Sequence, residues 1–135
     1  MALTQDRIGA IQRDSKQFSF PVAAATKIFA GGLVCINAGG YATKGAVATT
    51  LKTVGVAEEQ VDNSGGANGD KQVPVRRGTF RFKNSSAGDA IALADVGADC
   101  YVVDDETVAK TNGTSTRSVA GKIRDVDANG VWVEI

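Results

Sequence analysis

The sequence predicts an all-β protein, either a small β-barrel or a β-sandwich. Several short runs alternate apolar with polar residues, which is the pattern of a half-buried strand. These runs recur about every ten residues with Gly and Asn between them, as in barrels and sandwiches. No segment keeps a sustained 3.6-residue periodicity, so the sequence predicts no long helix.

The first predicted strand is an edge strand. Phe18, Phe20 and Val22 alternate with polar residues and with Pro21, which cannot donate a backbone hydrogen bond to a neighbouring strand. The further strand candidates follow in order at residues 33–36, 41–43, 53–57, 73–75, 80–82, 100–103, 108–109, 118–123 and 131–133. A bulge or turn is expected at Arg77 and Gly78, between two alternating runs.

The chain also carries a faint internal repeat. Residues 33–43 align without gaps over residues 100–110, which places Leu33 over Cys100. A two-residue length change in the next loop then brings residues 53–62 over residues 118–127. Two hairpin units that face each other would cover most open strand edges, so the repeat predicts such an arrangement. Chance similarity between short strands is the alternative.

Length and charge narrow the function classes. A chain of 135 residues predicts one domain, which we assign to residues 17–135. Fifteen basic residues balance fifteen acidic ones, which argues against binding to nucleic acid or to an anionic membrane. Histidine is absent from the sequence, which excludes catalysis and metal binding by imidazole. We therefore expect no enzyme activity and no cofactor.

Residues 1–16 differ from the rest of the chain and predict an N-terminal arm. Leu3, Ile8 and Ile11 are its only sizeable apolar side chains, and charged residues such as Arg7 and Arg13 lie among them. This composition lacks the apolar core of a signal peptide, so we expect synthesis in a cytoplasm. The arm is expected to become ordered against a partner, and a frayed terminus is the alternative.

Four polar motifs are interpreted as ordinary surface features. The segment 125–130 matches the first half of a calcium loop but predicts a hairpin turn, because the glutamate that completes such a loop is missing. The acidic group 104–106 predicts a solvated hairpin tip, and residues 65–71 predict an exposed loop. The fourth motif, a solvated or intersubunit basic strand face, comprises Arg76, Arg77, Arg81 and Lys83.

Cys35 and Cys100 are the only cysteines in the sequence. Two thiols alone cannot complete a tetrahedral zinc site, and neither lies among the cationic neighbours that make a thiol reactive. Both fall in apolar strand runs, so the sequence predicts two small core residues.

Several stretches together resemble the capsid cement (head decoration) proteins of tailed phages. They read KIFAGGLVCINAGGYA at 27–42, VGVAEEQVDN at 54–63, VPVRRG at 73–78, YVVDDETVA at 101–109, AGKI at 120–123 and GVWVEI at 130–135. The resemblance covers roughly residues 17–135, and its motifs are turn and core signatures.

This resemblance implies a structural protein, made in the host cytoplasm, on the outer surface of the virion. Such proteins are commonly homotrimers on the shell, bind the major capsid protein and bridge neighbouring capsomers. It also implies that the N-terminal arm contacts the capsid. The arm residues expected to make this contact are Leu3, Arg7, Ile8, Ile11 and Arg13.

Two other functions remain open from the sequence. The first is another virion component of the same style, such as a trimeric β protein associated with the tail or a fibre. The second is a hydrolase or carbohydrate-binding module that uses the acidic group 104–106. Against the second, Tyr41, Tyr101 and Trp132 lie in apolar runs that predict buried rings.

Overall fold

The computed structural model describes residues 2, 4–7 and 12–135, and these residues form three β-sheets and no α-helix. The strands are β1 (Gln17–Pro21), β2 (Thr26–Ile28), β3 (Leu33–Ile36), β4 (Ala42–Lys44), β5 (Lys52–Ala57), β6 (Val61–Asn63), β7 (Gln72–Arg76), β8 (Thr79–Phe82), β9 (Asp99–Val102), β10 (Val108–Ala109), β11 (Val119–Asp127) and β12 (Gly130–Glu134). Two single 3₁₀ turns cover Ala87–Asp89 and Leu93–Asp95. The predicted all-β class is confirmed.

The two large sheets have the same strand order. The first half of the domain is the sheet β1-β7-β5-β3-β4, and the second half is the sheet β8-β12-β11-β9-β10. A two-stranded ribbon, β2–β6, accompanies the first half. The first strands of the two large sheets, β1 and β8, match residue by residue. Phe18 pairs with Val75 in the first half, and Phe80 pairs with Val133 in the second. The predicted repeat is therefore present in the fold.

The register of the repeat differs from the sequence alignment. Val34 pairs with Gly55 in the first half, and Cys100 pairs with Gly121 in the second. Equivalent residues in these strands are thus 66 positions apart, with no gap in the hairpin or in the following loop. The alignment of Leu33 with Cys100 is wrong by one residue, and the alignment of residues 53–62 is wrong by one in the opposite direction.

The reason for this error is the burial of β3. Leu33, Val34 and Cys35 are all completely buried, so this strand has no polar face to mark which residues share a side. A strand buried on both faces reads as a continuous apolar run, and a one-residue shift leaves its pattern unchanged.

Each large sheet curls until its two edge strands meet at one point. A parallel bridge joins Val22, just after β1, to Ala42 in β4, and another joins Lys83, just after β8, to Thr107 before β10. No closed barrel forms among the described strands, and the architecture is that of a sandwich.

Strand β3 contributes to two separate hydrophobic cores. On one side of β3, Leu33 and Cys35 pack into the core of the second half, among side chains of the second sheet that include Phe82, Val102 and Val133. The core of the first half lies on the other side of the first sheet, against the β2–β6 ribbon. Its buried members are Val22, Ile28, Val34, Ala42, Ala57, Val61, Val73 and Val75. The two halves therefore share β3, and β5 also contributes to both cores through Val56 and Ala57.

The repeat predicts matched effects of substitution at two glycines. A methyl group at Gly55 would overlap the carbonyl oxygen of Arg76, and one at Gly121 would overlap the carbonyl oxygen of Glu134. Because backbone must move at both sites, we expect Gly55→Ala and Gly121→Ala each to lower the free energy of unfolding by about 1–3 kcal/mol. Gly65→Ala is the control, since a methyl group there meets no atom within 4 Å. Urea denaturation measures all three, and an unchanged Gly121→Ala variant would contradict the assignment.

Candidate functional site

The arm joins the domain at Lys16. The backbone N–H of Arg77 donates to the carbonyl oxygen of Lys16 at 2.7 Å, and the N–H of Lys16 donates to Asp14 Oδ1 at 2.8 Å. The guanidinium carbon of Arg13 lies 4.6 Å from the centre of the Phe18 ring, within the range of a cation–π contact. The root of the arm is thus held against β1 and the β7–β8 turn.

The predicted arm contacts fall into three groups. Leu3, Ile8 and Ile11 lie outside the residues that the structure describes. Arg7 is described and exposed. Arg13 is exposed as well, and it is the predicted residue that the structure brings onto β1, through its contact with Phe18.

A partly apolar groove lies beside the root of the arm. Its volume is about 330 Å³, and it is lined by Phe18, Phe20, Thr53, Val54 and Arg77, which together we name the β1 groove. The two phenylalanine rings are half-buried and stacked, with centres 6.1 Å apart and planes at 24°. Half-exposed aromatic rings in a concave surface are typical of a contact site.

The open edge of β1 borders this groove. The carbonyl of Lys16 and the N–H of Val22 hydrogen-bond on the β7 side, at 2.7 and 2.8 Å. Backbone groups alternate in direction along an antiparallel strand, so those of Gln17 and Ser19 point to the open edge. Pro21 has no N–H there, which limits any added strand to the first part of β1.

The four residues of the predicted basic strand face, Arg76, Arg77, Arg81 and Lys83, lie in different environments. Three of its members contact a partner: Arg76 with Glu58 at 3.2 Å, Lys83 with Glu106 at 2.8 Å, and Arg81 with the Trp132 ring at 5.9 Å. Arg77 instead lines the β1 groove. Among the described residues, neither Arg77 nor its neighbours Arg13 and Lys16 form an ion pair with a carboxylate. The groove is therefore bordered by positive charge.

The calcium-like segment is the β11–β12 hairpin turn, as predicted. Asp127 Oδ1 accepts hydrogen bonds from the N–H groups of Asn129 and Gly130, at 2.7 and 3.1 Å. Asp127 Oδ2 accepts from Trp132 Nε1 at 3.0 Å, and this bond lowers the pKa of Asp127. The carboxylate thus stabilises the turn, and over the described part of the chain no cluster of three potential metal ligands occurs.

The acidic group lies in the β9–β10 turn, where Asp104 Oδ1 accepts a hydrogen bond from the N–H of Glu106 at 2.9 Å. Both side chains are exposed. The expectation that Tyr41, Tyr101 and Trp132 are buried is wrong, because all three are only half-buried. Trp132 remains partly open because it lies on the face of β12 opposite the buried Val131 and Val133.

Cys35 and Cys100 are both fully buried, as predicted, and both are free thiols. Burial raises the pKa of Cys35 to about 11 and that of Cys100 to about 12. A thiol with a raised pKa in an apolar core is not a nucleophile at neutral pH.

We expect neither thiol to react in the folded protein. At pH 8 the native chain should consume almost no Ellman's reagent, whereas the chain in guanidinium should consume reagent at both thiols. Because the folded state holds these protons more tightly, the stabilising contribution is complete below the ordinary thiol pKa of 9.0 and decreases above it. Rapid native labelling of one thiol would show that its core opens locally.

Comparisons with protein-family models, curated proteins and solved structures found no match. No helix in the described part of the chain is long and apolar enough to span a membrane. The β1 groove and its strand edge are therefore the candidate site on structural grounds alone.

Proposed function

We propose that the protein is a phage capsid decoration protein. It binds the major capsid protein on the outer surface of the head shell and bridges neighbouring capsomers. On the shell it forms a homotrimer, and its place is the exterior of the virion. It acts by binding alone, without catalysis and without a cofactor.

One arrangement carries this proposal. The arm, whose described residues are exposed, enters the domain at Lys16, directly beside the open edge of β1 and the β1 groove. Such a site offers a partner both backbone hydrogen bonds and an apolar surface, which are the two components of recognition by strand addition. The resemblance of residues 17–135 to cement proteins and the net charge of zero support the same function.

The physical mechanism is the addition of many weak contacts on one lattice. An arm and a strand edge on one chain can engage two neighbouring shell subunits, so the second contact forms at high effective concentration. A trimer multiplies these contacts again. Shell stabilisation then follows without a large interface at any single subunit.

Removal of residues 2–15 tests the role of the arm. This variant keeps Lys16 and its hydrogen bond to Arg77 but loses the contact of Arg13 with Phe18, which is worth about 0.5–1 kcal/mol. We therefore expect a folded domain whose unfolding midpoint falls by a few degrees at most. Its affinity for expanded heads that lack decoration should fall at least tenfold, measured by cosedimentation.

The control for this experiment is the full chain with Lys44→Glu, a charge reversal on β4 at an exposed position. It should bind heads like the unmodified protein. Unchanged binding of the truncated chain would remove the arm from the interface, and unfolding of that chain would show that the arm belongs to the domain. A tail- or fibre-associated protein would not bind heads in either form.

A further inference from the structure

We propose that the β1 groove and the open edge of β1 together form a docking site for an extended segment of a partner protein. The segment carries branched apolar side chains at alternate positions and at least one carboxylate. The inference goes beyond the proposed function, because it holds whichever protein supplies the segment.

In the second half of the domain, the surface equivalent to the β1 groove is packed within a hydrophobic core. The residues equivalent to the β1 groove are Phe80, Phe82, Val119, Ala120 and Ile135. Four of these, all but Val119, pack in one hydrophobic core. The same core also contains side chains of the first half, among them Leu33, Cys35 and Val56.

The fold therefore shows what this kind of groove accommodates. Leu33 and Cys35 lie two positions apart on β3, so they present small and branched apolar groups from one face of an extended strand. Val56 and Phe80 line one shallow pocket, which places the filling strands directly against the aromatic side of the second half. In the first half, Phe18 and Phe20 line the open β1 groove; Phe20 also packs against the first-half core, and Phe18 belongs to neither core.

The second sheet of another copy of this chain does not fit the β1 groove in the way that the first sheet fits the second half. The residues equivalent to Leu33 and Val56 are Asp99 and Lys122, which form an exposed ion pair at 2.7 Å. Inserting this pair into an aromatic groove would remove two charges from water at a cost of several kcal/mol. The outer face of the second sheet is thus a poor ligand for the groove, and the occupant must come from a different surface.

The open backbone groups of β1 determine how a partner strand would pair with it. Gln17 and Ser19 direct their N–H and C=O groups to the open edge, so a strand that pairs there is fixed in register by hydrogen bonds. Every second side chain of that strand lies on the face that Phe18 and Phe20 occupy. Pro21 ends the pairing after these few residues.

The charged residues around the β1 groove favour a partner segment that carries negative charge. Arg77 lines the groove and Arg13 lies over Phe18, and neither forms an ion pair with a described carboxylate. Lys16 is likewise without an ion pair and lines a neighbouring pocket together with Asp14 and Arg77. An incoming carboxylate would meet at least one guanidinium at the rim, and Arg binds carboxylates with paired hydrogen bonds. A basic segment would be repelled.

The test is an NMR titration of the full-length, ¹⁵N-labelled protein with synthetic peptides. The probe is the peptide Glu-Thr-Val-Thr-Val-Thr-Val-Glu, and the matched peptide replaces both glutamates with lysine. We expect the acidic peptide to shift the amide signals of Gln17, Ser19, Thr53 and Arg77. The lysine peptide should bind at least tenfold more weakly.

Two variants separate the components of the site. Ser19→Pro removes the central edge N–H, and Arg77→Glu reverses the charge at the groove; each should weaken binding of the acidic peptide at least tenfold. Arg77→Glu keeps the backbone hydrogen bond to Lys16, so it stays informative if the proline variant fails to fold. The control Lys44→Glu should bind like the unmodified protein.

Three results would overturn the proposal. The first is an absence of shifts at millimolar acidic peptide, and the second is equal binding of the two peptides. The third is a set of shifts at the same amides that depends on protein concentration without peptide, because a second copy would then occupy the site. Each result stands apart from the proposed function, which is measured on heads rather than on peptides.

Discussion

The fold depends on the burial of one strand on both of its faces. Leu33 and Cys35 on β3 pack into the core of the second half, and Val34 packs into the core of the first. Burial of Leu33 alone contributes about 1.5–3 kcal/mol. Strand β5 supports the same junction, because Val56 packs against the core of the second half and Ala57 is buried in the core of the first. In the first half, the β2–β6 ribbon covers most of the equivalent face, and the β1 groove beside Phe18 stays open.

The β1 groove stays open because the two halves repeat the same sheet but do not carry the same apolar residues on their outer faces. Each half has a phenylalanine pair at its first strand. Phe80 and Phe82 both pack in the second-half core, whereas Phe20 packs against the first-half core and Phe18 belongs to neither core. The outer face of the second sheet carries charges where the first carries Leu33. An exposed apolar surface on a folded domain typically marks a site of interaction with a partner.

Local sequence patterns predict individual strands and turns better than they predict how those strands are aligned and packed. Alternation and Pro21 identified β1 as an edge strand, and Asn129 with Gly130 identified the β11–β12 hairpin. The register of the repeat was missed because β3 has no polar face. The β1 groove was missed for a different reason, since Phe18, Val54 and Arg77 are distant in sequence and no local motif links them. The sequence pointed to the arm, and the structure adds the surface beside the arm root.

We propose that this chain is a structural component of a phage head, present all over the lattice. The most direct measurement is quantitative mass spectrometry of purified phage particles, with the amount of this chain expressed relative to the major capsid protein. We expect a copy number comparable to that of the major capsid protein. A handful of copies per particle, or none, would contradict it.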